Sequence, residues 1–207
     1  MRSLLLITTL GLLATVPQIQ QPDVSKFPAQ DAHQDFMVAA DNYSDAARSK
    51  EKFGKDADPY KVGLLAVDIY FRNDTKYPVH VGLDTIRLNV NDPNGQKFHL
   101  EPLSLARAAN AIAHPKGPSA PVARRLPIPL PQGDSKQQGV MDKLRPFTLQ
   151  SDVVPPGGTI HGCVFFDMNH RFDLVRYATL YVPDVKSVAS DAGMIYFEVG
   201  LAPKRAE

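Results

Sequence analysis

Residues 62–74 read VGLLAVDIYFRND, and the spacing of their apolar side chains decides the fold class. Leu65, Val67, Ile69 and Phe71 recur at every second position, while Asp68 and Tyr70 fall on the alternate face. Period two is the mark of an extended strand, because successive side chains project to opposite sides of a pleated backbone. Asn73, Asp74 and Pro78 then interrupt the run with turn chemistry. Asn and Asp bond their own backbone, and proline supplies no ladder donor. VHVGLDTIRLNV, residues 79–90, follows as the expected partner strand. Its apolar phase slips once near Asp84 and Thr85, where a bulge or bend absorbs the slip.

On the N-terminal side, QDFMVAAD (34–41) is short and apolar enough for a first strand. Ser44 is placed to cap a helix over residues 45–53 that would end at Gly54. On the C-terminal side, the turn-rich NDPNG (91–95) returns the chain into a short strand, QKFHL (96–100). EPLSLARAANAIAH (101–114) predicts an amphipathic helix, with Pro102 in its first turn and Leu103, Ala106, Ala109 and Ile112 or Ala113 at helical spacing. Residues 114–131, HPKGPSAPVARRLPIPLP, carry six prolines. Such a stretch cannot be a central strand and is expected to run extended across the surface. A second short helix is predicted over SKQQGVMDKL (135–144), capped by Asp134 and stopped by Pro146.

Alternation returns in the last third. After the turn at Pro155–Gly158, TIHGCVFFDM (159–168) sets Ile160, Val164, Phe166 and Met168 on one face and His161, Cys163, Phe165 and Asp167 on the other. ATLYVPDV (178–185) and MIYFEVGL (194–201) complete the strands, the latter with Ile195, Phe197, Val199 and Leu201 in register. About seven strands with helices inserted among them, and no alternating βαβ rhythm, predict an antiparallel immunoglobulin-like β-sandwich with short helical insertions and a proline-rich crossover. A parallel sheet is disfavoured.

Residues 1–16, MRSLLLITTLGLLATV, have a basic start and an uncharged apolar run, the form of a secretory signal. The run is shorter than the roughly 20 residues a membrane span needs. The expected organisation is a signal peptide over 1–16, a flexible linker over 17–35, and a single domain over 36–203 with an insertion at 101–146. Export to the periplasm or the extracellular space follows, with no membrane span in the mature chain.

The chain has 207 residues, 23 Lys and Arg against 22 Asp and Glu, and a net charge of +1, which gives no general drive toward nucleic acid. Its one cysteine, Cys163, permits no intramolecular disulfide and no thiolate cluster. No nucleophile elbow, dinucleotide fingerprint or phosphate-cradling loop occurs, and no cofactor is expected.

Two stretches carry a resemblance. LLAVDIYFRNDTKYPVHV (64–81) is a strand, an Asn-containing turn and a second strand, and VVPPGGTIHGCVFFD (153–167) is a Pro-Gly turn before a strand ending in aromatics and Asp. Both are similar to the telokin-like, immunoglobulin-like domains of exported bacterial proteins of unknown function. The resemblance implies a sandwich at the cell envelope and supplies no catalytic residue.

Two function classes follow. The first is a non-enzymatic envelope module that binds a protein partner or has a structural role. Arg124 and Arg125, beside the pre-extended proline-rich backbone, are its candidate contacts. The second is a metal- or thiol-dependent enzyme centred on His161 and Cys163, with Asp167 on the same strand face and His170 just beyond the strand. Residues two apart on a strand can supply two ligands to one metal, or a thiol and its base.

Overall fold

The computed structural model describes residues 27, 29–115, 135–189, 193–194 and 196–202. The segment 1–16, expected to be a signal peptide, the proline-rich run from residue 116, Arg124, Arg125, Asp134 and Ile195 lie outside them. In chain order the elements are β1 (Ala29–His33), β2 (Phe36–Asn42), α1 (Ala46–Phe53), β3 (Leu64–Asn73), β4 (Val79–Val81), β5 (Arg87–Asn91), β6 (Lys97–Leu100), α2 (Leu105–Ala113), α3 (Ser135–Leu144), β7 (Val153–Val154), β8 (Thr159–Asp167), β9 (Ala178–Val182), β10 (Val185–Ser187) and β11 (Phe197–Gly200). The fold is mainly β. The strands form three antiparallel sheets, ordered β1-β2-β3-β8, β10-β4-β7 and β11-β9-β5-β6.

β3 is the centre of the first sheet, and its residues from Leu64 to Phe71 are all buried. One face carries Leu65, Val67, Ile69 and Phe71 into the main core, as the alternation predicts. There they join Val38 and Phe166 of the same sheet, Leu88, Leu180, Phe197 and Val199 of the four-stranded partner, and Val79, Val81, Val154 and Val185 of the small sheet. The opposite face is buried too. Leu64, Ala66, Cys163 and Phe165 pack beneath α1, α2 and α3 against Phe53, Ala109, Ile112 and Leu144. The helices are thus a lid over one half of the sheet's second face.

Among the described residues there are eleven strands where about seven are expected. Residues 79–90 do not pair with β3. Val79–Val81 pairs with β10 and β7, while Arg87–Asn91 pairs with β6 and β9. The phase slip at Asp84 and Thr85 is therefore the point where the chain changes sheets, through a 3-10 turn over Leu83–Thr85 that the Thr85 hydroxyl closes by donating to the Gly82 carbonyl at 2.7 Å. Asn73 anchors the departure from β3. Its amide donates to the carbonyls of Tyr77 and Val154 at 2.8 and 3.0 Å, and its Oδ1 accepts from the Thr75 amide and hydroxyl at 3.0 and 2.7 Å.

The expected linker over 17–35 contains a strand, because Ala29–His33 pairs along its length with β2. Only Ala29 of β1 is buried, so no apolar alternation marks it. Backbone pairing holds it, through a turn in which Gln34 and Asp35 take φ of 53° and 56°. Its side chains also reach β11. Asp31 accepts from the Glu198 amide at 2.9 Å, and the His33 ring stacks on Phe197 at 3.9 Å. Two helix starts shift as well. Asp45, not Ser44, caps α1 by accepting from the amides of Ala47 and Arg48 at 2.9 and 3.0 Å, while Ser44 donates to Asn42 instead. Ser104 caps α2, so Pro102 and Leu103 precede the helix, and the Leu103 amide donates to the Phe165 carbonyl at 2.8 Å.

The edge of β8 is closed by the segment following α3, which crosses Gly162 at backbone contact. A Cβ on Gly162 would lie 2.3 Å from the Leu149 nitrogen and 2.5 Å from the Thr148 carbonyl carbon. Glycine is needed where two backbones approach this closely. Gly162→Ala is expected to destabilise the protein by about 2 kcal/mol or more, as overpacking does. The reading is a lowered urea midpoint at unchanged slope; an unmoved midpoint would show that the crossing is not held tightly.

Candidate functional site

The densest group of chemically capable side chains lies on the second face of the β1-β2-β3-β8 sheet. Register dictates who meets whom. Asp68 stands opposite Asp41 of β2 on one side and Cys163 of β8 on the other, and Tyr70 stands between Ala39 and His161. Two carboxylates directly opposite on neighbouring strands repel, and Asp68 is only 2% exposed. A buried charge is tolerated only when it is answered.

The answer comes from α1. Arg48 and Lys52 are four residues apart, so they project one above the other from a single helix face. The Arg48 guanidinium donates to Asp41 at 2.7 Å, and the Lys52 ammonium donates to Asp68. Tyr43 stands behind both cations, with its ring centroid 5.0 Å from the Arg48 guanidinium carbon and 4.7 Å from Lys52 Nζ. Lys52 Nζ also donates to the Tyr43 hydroxyl at 3.0 Å. Asp68 Oδ2 further faces the Tyr70 hydroxyl at 3.4 Å, and its Oδ1 lies 3.6 Å from His161 Nδ1, beyond hydrogen-bond range. The His161 ring stacks on Tyr70, with centroids 4.8 Å apart.

These surroundings set the protonation states. Burial raises the pKa of the Cys163 thiol, and the Asp68 charge raises it further, against a smaller opposing effect of Lys52. Burial also raises the Tyr70 phenol, with Asp68 again adding to it, and burial lifts the Tyr43 phenol although Lys52 opposes. For Lys52, burial works toward a lower pKa, but a Cys163 thiolate, the hydrogen bonds to Asp68 and Tyr43 and the Asp68 charge outweigh it, and the net shift is upward. The thiol is protonated at neutral pH, so Asp68 and Tyr43 are what hold the ammonium charged there. A thiol that keeps its proton is a poor nucleophile, and a charged lysine cannot form a Schiff base.

The four residues of the metal or thiol reading do not converge. His161 and Cys163 share a face of β8, but Asp167 lies six residues from His161 along the strand, about 20 Å at the rise of extended chain. Asp167 accepts from the Asn169 amide at 2.9 Å, and His170 sits exposed beyond the strand end, edge-on to Phe172. Among the described residues, no three His, Cys, Asp or Glu side chains group closely enough to hold a metal ion. Cys163, buried as it is, is among the residues lining a groove of about 610 Å³, with Leu103, Arg145 and Leu149, and His161 is not part of that lining. Sequence reasoning placed Asp68 on the alternate face but missed Tyr43 and Lys52 as its partners. The signal was present: a single carboxylate inside a strand buried on both faces requires a cation from elsewhere.

No family model matches the chain, and no curated protein matches it. Among solved structures, it is similar to a functionally unknown protein from Listeria monocytogenes EGD-e at 13% identity and a TM-score of 0.37, over 84% of this chain and 80% of that one.

Two expectations follow. Lys52→Met should destabilise the fold by about 3 kcal/mol, because it strands a buried carboxylate, whereas Lys52→Met with Asp68→Leu should recover most of that loss. A double-variant loss equal to the sum of the Lys52→Met and Asp68→Leu losses, by urea titration, would show that Asp68 and Lys52 act independently. The second concerns pH. Cys163, Tyr43, Tyr70 and Lys52 all bind their protons more tightly in the folded chain, so stability is complete below their ordinary pKa values and falls as pH rises past them. The melting temperature should hold to about pH 8.5 and drop steeply above about pH 9, with the first part of the drop absent in Cys163→Ala. A melting temperature flat to strong alkali would contradict the assignment.

Proposed function

We propose that this chain is an exported, non-enzymatic protein of the cell envelope, a binding or structural module built as an immunoglobulin-like sandwich akin to the telokin-like domains it resembles. One observation carries the non-enzymatic part: the reactive groups of the buried cluster are engaged with one another, with the thiol and the ammonium both held in their protonated forms. Such a cluster fastens a helix to a sheet, and it keeps its thiol and its ammonium out of nucleophilic chemistry. Three antiparallel sheets around one core support the sandwich reading. The apolar, positively led segment 1–16 supports export. The near-neutral charge supports a partner other than nucleic acid. Among the described residues, no helix is long and apolar enough to cross a membrane. Arg124 and Arg125 in the proline-rich crossover remain the proposed contacts for an envelope protein partner.

Fractionation of producing cells, with the N-terminus read by mass spectrometry, tests the compartment. The expected result is a periplasmic or secreted chain lacking the first 14 to 16 residues of MRSLLLITTLGLLATV. Recovery from the cytosol with residue 1 or 2 still at the N-terminus would overturn export.

A further inference from the structure

The sheet β11-β9-β5-β6 has a clean division of faces. Leu88, Val90, Leu180, Val182, Phe197 and Val199 point into the core. The outward side chains fall into rows set by the register. Gly200, Thr179, Asn89 and His99 form one row across all four strands; Glu198, Tyr181 and Arg87 form the next; Asn91 and Lys97 stand side by side beyond the first. A cavity of about 360 Å³ opens on this face, lined in part by Asn89, Asn91, Lys97, His99, Thr179 and Glu198. That is within the range of small-molecule sites, roughly 300–1,000 Å³.

A polar outer face is ordinary for an antiparallel sheet; three features of this one are not. First, asparagine and glycine are poor strand residues, yet Asn89 and Gly200 lie in the same cross-strand row. Second, the side chains lining the cavity make no hydrogen bond or ion pair with described residues of the protein. On other surfaces some charged side chains are paired, Arg72 with Asp74, His80 with Asp152, Lys143 with Asp56 and Lys186 with Asp184. Third, Gly200 leaves the β11 end of this row without a side chain, and nothing lies within 4 Å of where its Cβ would be. Beside this row the Tyr181 and Tyr196 rings lie 5.4 Å apart, and Tyr196 is 50% exposed.

We propose that this face binds a neutral oligosaccharide. The proposal deepens the binding-module reading above by naming the ligand class, and it rests on that reading for its setting. The chemistry selects the class. Each asparagine amide offers donor and acceptor together, and Thr179, His99 and Glu198 add mixed capacity, which matches vicinal sugar hydroxyls that both give and take hydrogen bonds. The tyrosine pair supplies amphipathic ring surface for the apolar side of a pyranose. Charge argues against a polyanion. Arg87 and Lys97 are separated along β5 and β6, and Glu198 shares the register row of Arg87, whereas a phosphate chain is held by clustered cations of one sign.

The test is a titration of the isotopically labelled, purified protein with neutral pentasaccharides of glucose, xylose, mannose, galactose and N-acetylglucosamine, followed by amide NMR. Millimolar sugar should shift signals of Asn89, Asn91, His99 and Thr179. Gly200→Val projects into this open space, its Cβ meeting nothing within 4 Å, so it should keep the melting temperature and weaken binding at least about tenfold. Asn89→Ala should weaken it comparably with the remaining spectrum unchanged. No shift with any of the sugars would overturn the proposal, as would shifts confined to another face or binding undiminished in both variants. A response to sulfated or phosphorylated oligosaccharides alone would also overturn it. An exported chain that binds none of these sugars would sink the proposal and leave the envelope reading standing, whereas a cytosolic chain that binds them would do the reverse.

Discussion

A strand covered on both faces has no water to solvate a charge, so every ionised group on it must be neutralised by another element. β3 is such a strand, and Asp68 is its charge. The rest of the first sheet's second face follows from that constraint. Asp41 stands across from Asp68, so two carboxylates must be answered rather than one, and α1 answers both from one face with Arg48 and Lys52. Tyr43, between strand and helix, receives both cations. The docking position of α1 is therefore set by electrostatics as well as by the burial of Phe53. Continuity between this cluster and the apolar packing beneath the helices comes through Cys163, which belongs to the register row of Asp68 and to the second core.

This arrangement explains why groups that look reactive in isolation are quiet. A cysteine two residues from a histidine on one strand face has the spacing of a thiol and its base. In the fold the thiol is buried beside a carboxylate, which disfavours the thiolate, and the histidine is stacked on Tyr70 outside the groove that Cys163 helps to line. Reactive cysteines sit in electropositive, partly open surroundings, and Cys163 has neither property. The polar side chains of the opposite, β11-β9-β5-β6 face present the contrasting case. Those lining its cavity are open and, among the described residues, make no hydrogen bond or ion pair through their side chains.

Much of the architecture was legible because the physical rule that produced it is local. Alternation in 62–74 and 159–168 located β3 and β8 and assigned their faces correctly. Turn chemistry located the β5–β6 hairpin, helical spacing located α2, and the stop at Pro146 located α3. Legibility failed where backbone pairing alone makes the element. β1 has one buried residue, and β7, the two valines Val153 and Val154, is too short for an alternation to show. Helix starts failed for another reason: Ser44 and Asp45 are both good caps, and the choice between them depends on Asn42 engaging the Ser44 hydroxyl.

The chain by itself determined which residues are extended, which faces are apolar and where the backbone must turn, since each of these depends on side chains within a few positions of one another. Only the tertiary structure decided which strands pair, that residues 79–90 divide between two sheets, and that Lys52 meets Asp68. Those outcomes depend on register between segments far apart in sequence, and a one-residue slip in any of them would exchange the buried and exposed faces.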